Sequence, residues 1–246
     1  MASKGKSEAR PADPRGGIAD ALMKLASERR FEEISIRDIC TEAGVTLADF
    51  RDAFPSKGAV LAGLSRRFDR AVLAQDSAEL ADESPRERLF DVLMRRLEAM
   101  APYREGLREA SAWLRRDPSA ALAMNPIVRG SMRFMLEAAD IEFEDGAAGT
   151  VKLQGLAIAW ARIVGVWLDD DDPGLSKTMA ELDRELTRGE RAVAQVDRVS
   201  GLAAPIRALA LAVLDARRRL GERSPRKRAA RDADFEGDRE DEAPAA

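Results

Sequence analysis

The sequence predicts an all-α protein, and three observations carry that reading. Ala, Leu, Arg, Glu and Asp dominate while β-branched and aromatic residues are sparse, so helix formers abound and residues suited to a pleated strand do not. Apolar residues recur at helical spacing in one segment after another. Hydrophobic residues make up 45% of the 246, which is enough to build a buried core.

Residues 1–16 are polar and read as a disordered arm. The helical period begins at Ile18, with Leu22 and Leu25 on the same face. After a break at Arg29-Arg30-Phe31, Ser35 suits an N-cap, and Ile36, Ile39, Cys40 and Ala43 form the expected buried stripe. Gly44 then supplies a sharp turn, where a positive φ is cheap. Thr46 or its neighbour opens a short helix to about Phe54. Pro55 and Ser56 break it, and another helix runs from about Lys57 to Ala74.

The polar stretch from Asp76 to Ser84 reads as a linker. Ser84-Pro85-Arg86-Glu87 is a capping-box pattern with Pro at the first helical position, and Leu89, Phe90, Leu93, Leu97 and Met100 follow as an inward face. Pro102 opens the next helix, carrying Leu107, Ala110 and Leu114. Asp117-Pro118 and Asn125-Pro126 are expected to be two more cap-and-start pairs, the second leading through Phe134 and Leu136. A loop over Asp140 to Gly149 precedes the most apolar segment, in which Leu153, Leu156, Trp160, Ile163, Val164 and Trp167 share a face. Asp169 to Asp172 end it, and Pro173 is expected to restart a helix through Met179, Leu182 and Leu186. Residues 202–219 form one more amphipathic candidate, and a low-complexity tail, first basic and then acidic, runs from Gly221.

Composition removes whole classes of chemistry. The chain has no histidine, and Cys40 is its only cysteine. Disulfides, His- or Cys-based zinc sites, Ser/His/Asp triads and Cys/His dyads are therefore out, and neither a catalytic site nor a cofactor is expected. Cys40 itself is expected in the core. The four consecutive aspartates point in different directions and lack a Gly-spaced calcium loop, so they read as a solvated, helix-capping turn and not a metal site. The net charge of −4 means that attraction to nucleic acid or membrane must be local. The first residues lack the apolar stretch of a secretory signal, and no run approaches the roughly 18 apolar residues of a spanning helix. A cytoplasmic protein without stable membrane insertion is the expectation.

The segment SIRDICTEAGVTLADFRDAFPSKGAVL combines a helix, an Ala43-Gly44-Val45 turn, a short helix and then Phe54-Pro55-Ser56-Lys57. Ile36, Ile39, Cys40, Val45, Phe50 and Phe54 would form a small core crossing two helices steeply, which pushes the second helix outward. Over residues about 18–70 this is similar to the helix-turn-helix of the TetR family of transcriptional regulators. The resemblance implies a TetR-like fold, with a three-helix DNA-binding domain over 17–75 and a helical effector-sensing and dimerisation domain over 84–220. The arm 1–16 and the tail 221–246 flank them.

It further implies a homodimeric repressor on an operator of double-stranded DNA, released by a small apolar effector. Thr46 and Lys57 match positions that contact phosphate, and Arg37 lies where the preceding helix nears the backbone. Leu47, Asp49 and Arg51 lie on the recognition helix, with Arg51 available to phosphate or to guanine. The sequence departs from the family in that an aromatic residue commonly stands where Arg51 is, and polar or basic residues where Leu47 and Asp52 are. Arg66, Arg67 and Arg70 either add positive charge or form a solvated face. Helices over about 150–168 and 174–189 would pair across the dimer. Trp160, Ile163, Val164 and Trp167 fit three settings: a dimer seam, the core of one subunit or the wall of an effector cavity. Residues 130–190 also loosely resemble the ubiquinone-biosynthesis accessory proteins, TetR-like in fold, which bind lipid. That implies an alternative, a lipid-binding accessory protein that does not bind DNA.

Overall fold

A computed structural model of the chain describes residues 13–75, 82–143 and 145–195. The chain divides into two compact units, 1–193 and 194–246, and the helices described belong to the first. The candidate helix 202–219, the tail and residues 1–12 of the arm lie outside the described residues. Among the described residues there is no strand.

Three short helices come first. Helix α1 spans Pro14–Glu28 and starts earlier than the polar arm suggested, because Asp13 caps it through Gly16 N and Pro14 fits its first turn. Its residues Ile18, Leu22 and Leu25 are buried. A 3₁₀ turn over Phe31–Glu33 leads to α2, Ile36–Ala43, and then to α3, Leu47–Ala53. Ile39, Cys40, Phe50 and Phe54 close a core with α1. Ile36 departs from the expected stripe and is 37% exposed, since it occupies the first position of α2 at the edge of that core.

Helix α4, Lys57–Leu73, packs against α1 at one end and against α5, Pro85–Met100, and α7, Pro118–Ala138, along the rest. The expected capping box at the start of α5 is present, with Ser84 and Glu87 exchanging bonds of 3.1 and 3.3 Å. A 3₁₀ turn over Ala101–Tyr103 joins α5 to α6, Arg104–Arg116. Helix α6 seats on α1 so closely that a Cβ on Gly106 would come 2.5 Å from the carbonyl oxygen of Met23.

Asn125-Pro126 does not start a helix. Helix α7 runs unbroken through Pro126, and the Asn125 amide exchanges hydrogen bonds of 3.0 and 3.1 Å with Gln154 of the next helix instead of capping its own. That helix, α8, spans Ala147–Leu168. It corrects the expectation that no run is long and apolar enough to cross a membrane. By length and composition α8 is, with a mean hydropathy of 1.3 over its most apolar window, because Gly and Ala fill the positions between its larger residues. Core helices meet the same test, and here Leu153, Ala157, Trp160, Ile163 and Trp167 are buried against the rest of the chain.

Helix α9 covers residues 176–193 of this unit. It begins after the expected start at Pro173, because Leu175 takes a left-handed φ of 52° and the Asp172 carboxylate receives Gly174 N and Ser176 N. The aspartate turn is not wholly solvated either. Asp170 is fully buried, and its carboxylate accepts Thr178 N at 2.9 Å and Thr178 Oγ1 at 2.7 Å. These bonds hold the Asp170 carboxyl below the usual carboxylate range. Arginines from other helices finish two C-termini. Arg88 donates to the carbonyls of Ala139 and Asp140 after α7, and Arg104 to those of Trp167 and Asp170 after α8.

Candidate functional site

The first candidate surface is the outer face of α2 and α3. Ser35 caps α2 and receives Asp38 N at 3.1 Å, while the Asp38 carboxylate accepts Ser35 N at 2.9 Å. These bonds hold the Asp38 carboxyl below its usual range. Gly44 then reverses the chain at a φ of 63°, the left-handed region that a side chain resists. Thr46 and Asp49 form a second box at the start of α3, with both key bonds at 3.1 Å. Two reciprocal caps around one glycine fix the direction in which α3 leaves the turn.

On that face the sequence-predicted residues separate by role. Arg37, Leu47 and Arg51 are exposed, and neither arginine forms an ion pair among the described residues. Thr46 is exposed too, but its hydroxyl is committed to Asp49, donating to Oδ2 at 2.7 Å. Asp49 is therefore a helix cap as well as a member of the face. Lys57 lies behind it. Its ammonium donates to the carbonyls of Phe31 at 2.5 Å and Ile34 at 2.8 Å and sits 4.6 Å from the Phe31 ring centre. Burial pushes its pKa down, with Glu32 opposing. Lys57 thus ties the 3₁₀ turn to the start of α4. Arg67 is also committed, to Asp20 at 2.7 Å and over the Tyr103 ring, whereas Arg66 and Arg70 are exposed. Cys40 is buried, and desolvation raises its thiol pKa, which makes it a poor nucleophile.

The second candidate is a cavity of about 640 Å³ between α4, α5, α6, α7 and α8. Leu61, Leu64 and Phe68 of α4, Leu107 and Leu114 of α6, and Trp160 of α8 give it a mainly apolar wall. A buried polar knot closes one side. Arg96 donates to Asp69 Oδ1 at 3.0 Å and to Ser65 Oγ at 3.1 Å, Ser131 donates to Asp69 at 2.6 Å, and the guanidinium lies 4.8 Å from the Trp160 ring centre. Of the four apolar residues singled out on α8, Trp160 and Val164 line the cavity. Ile163 and Trp167 do not, being buried in the core of the single chain at 0% and 2% exposure.

Sequence reasoning missed Ser65, Asp69, Arg96 and Ser131 altogether. A charged residue at an inward helical position, as Arg96 is between Leu93 and Leu97, was the available signal. It also missed the strap between the cavity-bearing helices and the helix-turn-helix. Trp113 of α6 stacks on Phe31 at 4.4 Å, Glu109 accepts Phe31 N at 3.2 Å, and Arg116 bridges Glu109 and Glu32.

A capped helix-turn-helix joined through one long helix to a cavity-bearing helical body is the fold of the TetR transcriptional regulators. A TetR transcriptional regulator from Nitrosomonas europaea ATCC 19718 matches over 72% of this chain and 98% of its own, with a TM-score of 0.58 and 22% identity. One from Rhodococcus sp. RHA1 matches over 72% and 95%, with a TM-score of 0.51 and 18% identity. A putative TetR family transcription regulator from Shewanella sp. PV-4 matches over 73% and 97%, with a TM-score of 0.51 and 15% identity. No family model matches the sequence, and no curated protein matches it.

Proposed function

We propose that the protein is a DNA-binding transcriptional regulator, a repressor released from its operator by a small apolar effector. The observation that carries this reading is the double use of α4. Its first turn holds the helix-turn-helix through Lys57, and its next three turns present Leu61, Leu64, Ser65 and Phe68 to the cavity. Filling the cavity therefore acts on the helix that aims the reading head. The domain over 17–75 reads DNA and the domain over 84–220 senses the effector, with α4 shared between the two tasks, and no catalytic step is involved.

On the DNA side, Arg51 reads a guanine, while Arg37 and Thr46 approach phosphates and Leu47 offers an apolar contact. Asp49 keeps Thr46 in place, and Lys57 adds positive charge while bracing the turn. On the sensing side, Trp160 and Val164 meet the effector and Ile163 and Trp167 hold α8 in the core. The protein acts in the cytoplasm as a homodimer, pairing through α8 and α9, where Val151, Ile158 and Met179 are exposed. A dimer sets two recognition helices at the spacing of operator half-sites.

Gel-shift of the purified protein against its own upstream intergenic DNA, across a salt series, is the test. Specific retention that weakens steeply with salt is expected. Equal retention of unrelated DNA, or none at low salt, would overturn the reading.

A further inference from the structure

The lining of the cavity is uneven in charge. Arg96, Arg115 and Arg162 contribute to it, and among the described residues no carboxylate does. Two of the three arginines are already spoken for. Arg96 is bound to Asp69, and Arg162 lies 3.3 Å from Glu185 of α9. Arg115, in the last turn of α6, forms no ion pair among the described residues and stands exposed at the rim. The Asn125 and Gln154 amides, which also contribute to the lining, exchange hydrogen bonds with each other.

We infer that the cavity takes an amphipathic monoanion, a medium-chain aliphatic carboxylate, with its tail among Leu61, Leu64, Phe68 and Trp160 and its carboxylate at Arg115. The inference rests on the reading of this cavity as the effector site. Placing the charge at the rim keeps the carboxylate hydrated and avoids the cost of burying it. The guanidinium then offers two parallel donors of the geometry a carboxylate accepts. A cavity of about 640 Å³ lies within the range of about 300–1,000 Å³ typical of small-ligand sites. An ammonium head at the rim would meet the Arg115 guanidinium, with no carboxylate among the described lining residues to receive it.

The test uses the full-length protein, titrated with decanoate, decanol and decylamine below their micelle concentrations, with binding followed calorimetrically. Decanoate should bind about fivefold tighter than decanol, the scale of a well-placed exposed ion pair, and decylamine weakest. From hexanoate upward each methylene should tighten binding about fourfold until the cavity is full. Arg115→Gln should bring decanoate to the level of decanol, and Arg115→Lys should keep part of the preference. Decanol or decylamine binding as tightly as decanoate would overturn the inference, as would a preference that survives Arg115→Gln or no binding of any of the three. A gel-shift on the same preparation separates the two readings. DNA retention without a carboxylate preference sinks only this inference, and selective decanoate binding without DNA retention sinks the regulator.

Discussion

The helix-turn-helix head and the helical body hold their polar groups in opposite ways. In the head, the caps that aim α2 and α3 run between residues three apart: Ser35 with Asp38 and Thr46 with Asp49, all at the surface. In the body, the decisive bonds join distant helices and are buried, as in the knot of Asp69, Arg96, Ser65 and Ser131. Short-range caps make a rigid local shape that tolerates a solvent-facing, exchangeable surface. Long-range buried bonds make an arrangement in which a change at one helix is felt by two others. The first suits an element that must present a fixed face to a partner, and the second suits one that must respond.

That contrast can be broken most forcefully at Arg96. Arg96→Met leaves the Asp69 carboxylate buried without its cation and should cost about 3–5 kcal/mol, measured by urea denaturation. The double variant Arg96→Met/Asp69→Leu should recover most of the loss, because a buried pair replaced by apolar groups is often nearly neutral. A single variant as stable as the wild type would show that the knot contributes no long-range hold.

Arg51 tests the other side. Arg51→Ala should leave stability within about 0.5 kcal/mol of wild type, since the side chain is exposed and makes no ion pair among the described residues. It should cost about 1–3 kcal/mol of discrimination at one position in each half-site, read by selection from a random DNA pool. The same enriched motif from both proteins would remove Arg51 from the reading role.

A smaller effect compares caps. Ser35→Ala and Ser84→Ala each remove the same capping bond from α2 and α5, and each should cost about 1 kcal/mol. If the local caps set the reading face, only Ser35→Ala should also weaken DNA binding, as judged by gel-shift at fixed salt. Equal DNA affinity for the two variants would separate the caps from the aim of α3.

The smallest effect is on pH dependence. Hydrogen bonds from Thr178, Ser176 and Ser35 hold the Asp170, Asp172 and Asp38 carboxyls below their ordinary value of about 3.9. Groups depressed in the folded state add stability that is fully present above that value and is lost as pH falls through the lower folded values. The melting temperature should therefore decline on the acid side of about pH 4. Thr178→Val should lower it at neutral pH and make the acid decline shallower. An acid decline equally steep in the variant would mean that Asp170 takes no part in it.

The head was legible in the sequence because its determinants are local. Ser35, Gly44, Thr46, Ser56 and Lys57 announce caps and a turn through spacings that a linear reading detects. The body was legible only as helices. Asn125 was read as a cap because Asn before Pro usually is one, and its real partner, Gln154, lies 29 residues away. Nothing in the sequence marks Arg88 or Arg104, yet each closes the end of a helix more than 50 positions on. The cavity was foreseen only as one of three settings for Trp160, since a void is defined by five helices at once.

The seat of Gly106 on Met23 has a consequence for how such a protein changes over generations. There the separation of α6 from α1 is set by main chain resting on main chain, with no side chain between them to exchange. Residues of α6 on the cavity side, such as Leu107, Ser111 and Leu114, are free of that contact. They can be traded for others and the lining of the cavity altered, while the separation of α6 from α1 at Gly106 stays as it is. A single methyl at position 106 would instead act as a shim. It would press on the Met23 backbone and force α6 and α1 apart, whatever the cavity happened to hold.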